Sequence, residues 1–111
     1  MNHEDEKERR DEAADLSAVL ILDESRFPLG MVVVAQRAYA ALSTLDIHHG
    51  LVRHASGDWG ELCEDDWAEN QTALQLGYRL LSGYRSSKGI RFWIITEADR
   101  SVTTVLLPEE Y

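Results

Sequence analysis

Apolar residues along this chain cluster in short runs whose spacing changes twice, and the changes divide it into three regions. Residues 1–15 hold no large apolar side chain after Met1. Leu16–Leu22 (LSAVLIL) is a brief apolar run, too short for periodicity to separate a helix continuing from the tail from a first strand. After the turn residues Phe27-Pro28-Leu29-Gly30 comes Met31-Val32-Val33-Val34-Ala35, whose three consecutive β-branched side chains predict a strand. The period then becomes helical. Ala38, Ala41 and Leu42 predict a short first helix. Ser43 or Thr44 caps a second over residues 45–55, with Ile47, Leu51 and Val52 on one stripe and Asp46 near the positive end of its dipole. Residues 64–77 predict a third, with Trp67, Leu74 and Tyr78 along one face and Gly77 as its stop.

The second change comes at residue 79. Arg79–Tyr84, Phe92–Thr96 and Val102–Leu107 are β-rich runs joined by Arg85–Gly89 and Ala98–Ser101, which have hairpin length and hairpin composition. They predict an antiparallel meander. In the middle run Phe92 and Ile94 fall on one side and Trp93 and Ile95 on the other, which marks a central strand covered on both faces. Pro108 ends the last strand. The expected fold class is therefore α+β: an antiparallel β-sheet, made of the C-terminal three-stranded meander plus an earlier strand, packed against two or three helices. Residues 1–25 are expected to be an acidic flexible tail with a short apolar segment, and residues 26–111 a single α+β domain.

Composition narrows the function classes. The chain has 111 residues and one cysteine, Cys63, so no internal disulfide forms and a reducing, cytoplasmic location is expected. No apolar run approaches the length of a membrane span, and no membrane association is expected. Net charge is −9, and residues 1–15 alone carry seven acids and three bases. That balance argues against direct nucleic-acid binding; it either attracts a basic protein partner or serves solubility alone. The segment 79–100 runs the other way, with Arg79, Arg85, Lys88, Arg91 and Arg100 against Glu97 and Asp99. Such polarity is met either by internal ion pairs with the acidic helix or by self-association, for example as a homodimer.

The most unusual local feature is Arg53–Leu62 (RHASGDWGEL), in which two glycines bracket an Asp-Trp pair after a helix ending in Arg53-His54. As a recognition loop it would offer Trp59 as anchor and Asp58 as acceptor. In a structural role Trp59 would plug the edge of the core while Asp58 caps the next segment. Glu61, Glu64, Asp65, Asp66 and Glu69 extend the acidic run, either as a strip for a basic groove or as a solvated helix face. Arg53, His54, Asp58, Trp59, Glu61, Asp65, Asp66 and Glu69 are thus the candidate partner-binding residues. His49 and His54 are five apart, off the spacing that aligns two ligands on a helix, so neither a metal nor another cofactor is expected. A competing enzymatic reading borrows the layout of small barnase- and RelE-like ribonucleases. In it His54 is general acid or base, Arg79 or Arg91 neutralises a phosphate, and Ser82 or Thr104 hydrogen-bonds it.

From about Leu29 onward the chain also resembles a family of short bacterial proteins labelled plasmid-related, some of them as a type I restriction-modification subunit. The likeness is carried by Arg53–Leu62 (RHASGDWGEL), Asp66–Asn70 (DWAEN), Arg79–Tyr84 (RLLSGY) and Phe92–Tyr111 (FWIITEADRSVTTVLLPEEY). The resemblance implies genetic company with defence or anti-defence systems of mobile elements. Catalysis by a methyltransferase domain does not fit within 111 residues. Together with the charge, it points to a non-enzymatic module that binds a bacterial protein, with nucleic-acid-handling ones the first candidates, in the manner of an anti-restriction or anti-CRISPR inhibitor. A self-associating structural subunit is the third reading.

Overall fold

The computed structural model describes residues 25–111, so the predicted tail and the Leu16–Leu22 run lie outside the described residues. Strand β1 (Met31–Val34) leads into helices α1 (Gln36–Ala41), α2 (Thr44–Ala55) and α3 (Glu64–Leu76). Strands β2 (Leu80–Arg85), β3 (Arg91–Thr96) and β4 (Val102–Leu106) follow, then a 3₁₀ turn at Pro108–Glu110. The strands form one four-stranded sheet in the order β1-β4-β3-β2. The fold is α+β, and the predicted meander is present as β2-β3-β4.

The early strand joins the sheet as expected but lies parallel to β4, which makes the sheet mixed. Side-chain alternation sets which face a strand buries and leaves its direction open. Direction follows from what comes next. With β1 and β4 ending together, the start of α1 meets the 3₁₀ turn, and the Glu110 carboxylate accepts from Arg37 N–H at 2.7 Å and Ala38 N–H at 3.0 Å. Ala35, the residue before α1, has no side chain that could cap those donors.

Register places Leu80, Ser82, Tyr84, Phe92, Ile94, Thr96, Thr103 and Val105 on one face, against the helices. Helix α2 packs directly on the Phe92 ring, because Gly50 lets it approach: a Cβ there would stand 2.9 Å from a ring carbon of Phe92. Its N-terminus is capped by Ser43, whose Oγ accepts from Asp46 N–H at 3.0 Å. Asp46 in turn accepts from the Ser87 N–H at 3.2 Å and its hydroxyl at 3.1 Å, fastening the helix to the β2–β3 turn. Desolvation opposes ionisation of Asp46, but these hydrogen bonds from Ser43 and Ser87 prevail and hold it below the ordinary carboxylate range. On the second face Ile95 and Leu106 are buried, and Trp93 meets Tyr111 edge to face at 5.7 Å.

Candidate functional site

The centre of the core is polar. His54, on the inner side of α2, is fully buried beneath Phe27 and Trp59, whose rings lie 5.3 and 5.7 Å from the imidazole. Its Nδ1 is 2.6 Å from Ser82 Oγ on β2, and its Nε2 is 2.8 Å from Thr96 Oγ1 on β3. Thr96 Oγ1 is 2.7 Å from Thr103 Oγ1 on β4, and Thr103 donates to the Leu29 carbonyl at 2.7 Å. That carbonyl can only accept, so it fixes the direction of every bond in the chain. Thr103 spends its one proton on Leu29 and must accept from Thr96. Thr96 must then accept from His54 Nε2–H, which leaves Nδ1 of the neutral ring to accept from Ser82. Burial pushes the His54 pKa down to about 3, and the positive charge of Arg100 adds to the effect. The ring is therefore neutral at physiological pH, with its proton on Nε2 and Nδ1 accepting from Ser82.

This arrangement separates the residues of the ribonuclease reading. Ser82 reaches His54, but both are sealed from solvent. Thr104 pairs with Ile95, and Arg91 alternates with Phe92, so both belong to the opposite face of the sheet. Arg79 is engaged elsewhere, donating to the Tyr111 hydroxyl at 2.9 Å and lying 3.8 Å from Glu97. His54, Arg79, Arg91 and Thr104 do not converge on a common space.

The Asp58-Trp59 loop is also placed differently from a display loop. Trp59 is fully buried, stacked 6.3 Å from Phe27, and its indole N–H finds no acceptor among the described residues. Neither Trp59 nor His54 presents surface to a partner, a correction to their reading as contact residues. The cause is the backbone: Gly60, at φ 78°, forms a bridge with Gly83 that draws the loop against β2 and turns Trp59 inward. Asp58 accepts from Arg53 Nε at 2.7 Å and from Gly60 N–H at 3.1 Å, so it closes its own loop. The Arg53 hydrogen bond holds the Asp58 carboxyl below its ordinary value. Arg53 lies over the Tyr84 ring, 4.7 Å from its centroid, and Tyr84 donates to the Asp58 carbonyl at 2.6 Å. Glu61 lies 3.3 Å from Arg85. An open groove of about 590 Å³ runs beside this loop, between α2 and the β2–β3 hairpin, with Leu45, Arg53, Tyr84 and Phe92 in its walls.

Helix α3 carries the rest of the acidic run. Asn70 and Ala73 are its buried residues, and Glu64, Asp65, Asp66 and Glu69 are exposed. Among the described residues no cation lies within ion-pair distance of these four. The helix is held firmly. Trp67 donates its indole N–H to the Gly60 carbonyl at 3.1 Å, and Arg100 donates to the Ala73 and Tyr78 carbonyls at 3.2 and 2.6 Å. Arg100 therefore stands at the negative end of the α3 dipole, although its own backbone takes φ 62° to do so. Asn70, Arg100, Thr96 and Thr103 are the important residues that pattern reading missed. A lone asparagine in a helix and two threonines flanking a hairpin were the signals available.

Among the described residues no cluster of three or more histidines, cysteines, aspartates or glutamates is arranged to hold a metal ion. No helix among them is long and apolar enough to cross a membrane. No family model, curated protein or solved structure matches this chain.

Proposed function

We propose that this chain is a non-enzymatic protein-binding module that offers the acidic face of α3 to a basic surface on a bacterial protein. The observation that carries the reading is the contrast within one acidic run. Asp58 and Glu61 are taken up by Arg53 and Arg85, whereas Glu64, Asp65, Asp66 and Glu69 stand exposed on a firmly anchored helix with no cation beside them among the described residues. The helix dipole favours Glu64, Asp65 and Asp66 in the first turn, Asp65 and Glu69 follow four apart on one face, and together they present a single-sign surface that attracts a basic partner. Such a surface imitates the phosphate spacing of a nucleic acid only loosely, yet it suits the same kind of groove. A nucleic-acid-handling protein is accordingly the partner class, in keeping with the resemblance to mobile-element proteins.

The test pairs Asp65→Lys with Glu69→Lys in one variant and compares its capture of host proteins with that of the unmodified chain, at low and high salt. The reading expects one stoichiometric partner, lost at high salt, lost in the double variant, and displaced by added DNA or RNA. Equal capture by the double variant, folded as judged by circular dichroism, would remove α3 from the interface.

A further inference from the structure

The sheet has two edges, and the chain treats them differently. Along β2 the outward main-chain groups of Leu81 and Gly83 are taken, which leaves only those of Arg85 at the end of the strand. Asn70 donates to the Leu81 carbonyl at 2.6 Å and accepts from its N–H at 3.1 Å. Gly83 N–H donates to the Trp59 carbonyl at 3.1 Å, and the Gly83 carbonyl accepts from Glu61 N–H at 2.7 Å. Along β1 the N–H groups of Met31 and Ala35 donate to the Ser101 and Val105 carbonyls, at 2.9 and 2.8 Å. Alternation along a strand then turns the N–H and C=O of Val32 and Val34 to the outer side. Among the described residues nothing bonds to them there.

Natural edge strands are blunted by charge, proline, a bulge or a covering segment. β1 carries none of the first three. It reads Met-Val-Val-Val, and its register runs without interruption from Met31 opposite Val102 to Val34 opposite Val105. Met31, Val32 and Val33 are 67%, 37% and 40% exposed.

We propose that β1 is the interface of a homodimer, in which a second copy of this chain adds its own β1 antiparallel about a two-fold axis at Val33. The choice of occupant rests on self-complementarity. An axis at Val33 sets Val32 opposite Val34 of the second copy, and Val34 opposite Val32. These are the residues whose N–H and C=O face outward, so four hydrogen bonds form and no outward group between them is left over. Val33 then meets Val33 and Met31 meets Ala35, apolar against apolar on the second face. No charged side chain lies between Leu29 and Ala35, so no like charges are opposed along the paired strands. The result is one continuous sheet of twice four strands. The strand is short and the buried area correspondingly small, so the dimer dissociates in the micromolar range and is not obligate.

The test is sedimentation or light scattering of the full chain over a micromolar concentration series, with two variants. Val32→Pro removes an outward N–H that the β1–β4 ladder does not use. Val33→Lys places like charges across the axis. The expected result is a mass that rises from monomer to dimer in the unmodified chain and stays monomeric in both variants, with circular dichroism and melting unchanged. A register check needs no assembly-breaking substitution. Val33→Cys in a Cys63→Ser background should cross-link readily on mild oxidation, since this pair type brings Cα atoms to about 4.5 Å, and Leu45→Cys in the same background should not. An unmodified chain that stays monomeric throughout overturns the proposal, whether its own residues 1–24 or a foreign strand cover the edge. So does a dimer that persists in both variants.

Discussion

Asn70 serves Leu81 as a neighbouring strand would, donating to its carbonyl at 2.6 Å and accepting from its N–H at 3.1 Å. One side chain on α3 thereby closes a stretch of sheet edge and fixes the height of the helix against β2. Asn70→Ala leaves both groups of a half-buried residue without a partner and is expected to cost about 1–3 kcal/mol. Asn70→Asp retains the acceptor but sets a carboxylate oxygen against the Leu81 carbonyl, so it should cost at least as much. Urea unfolding measures both, and hydrogen exchange at the Leu81 amide should accelerate before the rest of β2.

His54 gives stability a pH dependence of definite sign. Its folded pKa of about 3 lies below the ordinary 6.5, so between those values the unfolded chain binds a proton that the folded chain refuses. Stability therefore falls as pH drops below about 6.5, with a limiting slope of about 1.4 kcal/mol per pH unit from this one residue. The interval from pH 6.5 to 5 isolates the effect, because it lies above the range in which carboxylates titrate. Urea midpoints measured at pH 7, 6 and 5 should decline in the unmodified chain and flatten in His54→Gln, whatever that variant loses at pH 7.

Gly60 and Gly77 share φ 78° but differ in surroundings. At Gly77 an added Cβ meets nothing within 4 Å, so Gly77→Ala bears only the left-handed backbone cost of about 1 kcal/mol. At Gly60 the same atom would lie 2.0 Å from the Gly83 carbonyl oxygen. Gly60→Ala must therefore break the bridge that holds the loop, and its loss of stability should exceed that of Gly77→Ala by at least about 2 kcal/mol. Thermal melts of the two variants side by side decide it.

Trp59 carries two opposed contributions. Its ring fills the space over His54 and Phe27, while its buried indole N–H has no acceptor among the described residues. Trp59→Phe removes the orphaned donor along with part of the ring, so the two effects offset; Trp59→Ala removes the filling and should cost about 3–5 kcal/mol. Calorimetry should find the phenylalanine variant less than half as damaged. Loss of partner binding in Trp59→Ala would accordingly report an opened core rather than a lost contact.

Much of the secondary structure was legible because each element satisfied a local rule. Ser43 and Asp46 announced the start of α2, Gly77 the end of α3, and the hairpin residues the meander. Sidedness was readable in β3, where Phe92 and Ile94 face the helices and Trp93 and Ile95 the other way. The direction of β1 was not, since it depends on Glu110 reaching α1 across more than half the chain. Neither was the fate of Arg53–Leu62. Its composition fits a displayed loop and a tucked one alike, and the deciding contact is Gly60 against Gly83. His54 illustrates the same limit: an ionisable residue at a helix end reads as surface chemistry until two hydroxyls from neighbouring strands are seen to hold its ring.

The pairing of β1 with β4 also has a consequence for biosynthesis. Met31 leaves the ribosome long before Val102, the residue it must lie beside, and everything between them has to be made first. Throughout that interval a run of valines waits for β4, its strand partner among the described residues, while the α1–α3 segment and the β2–β3 hairpin can already form. Nascent chains on one polysome then compete with the chain's own β4 for the same strand. Output of native protein should fall more steeply with expression rate than its modest size suggests, and slower synthesis should restore it.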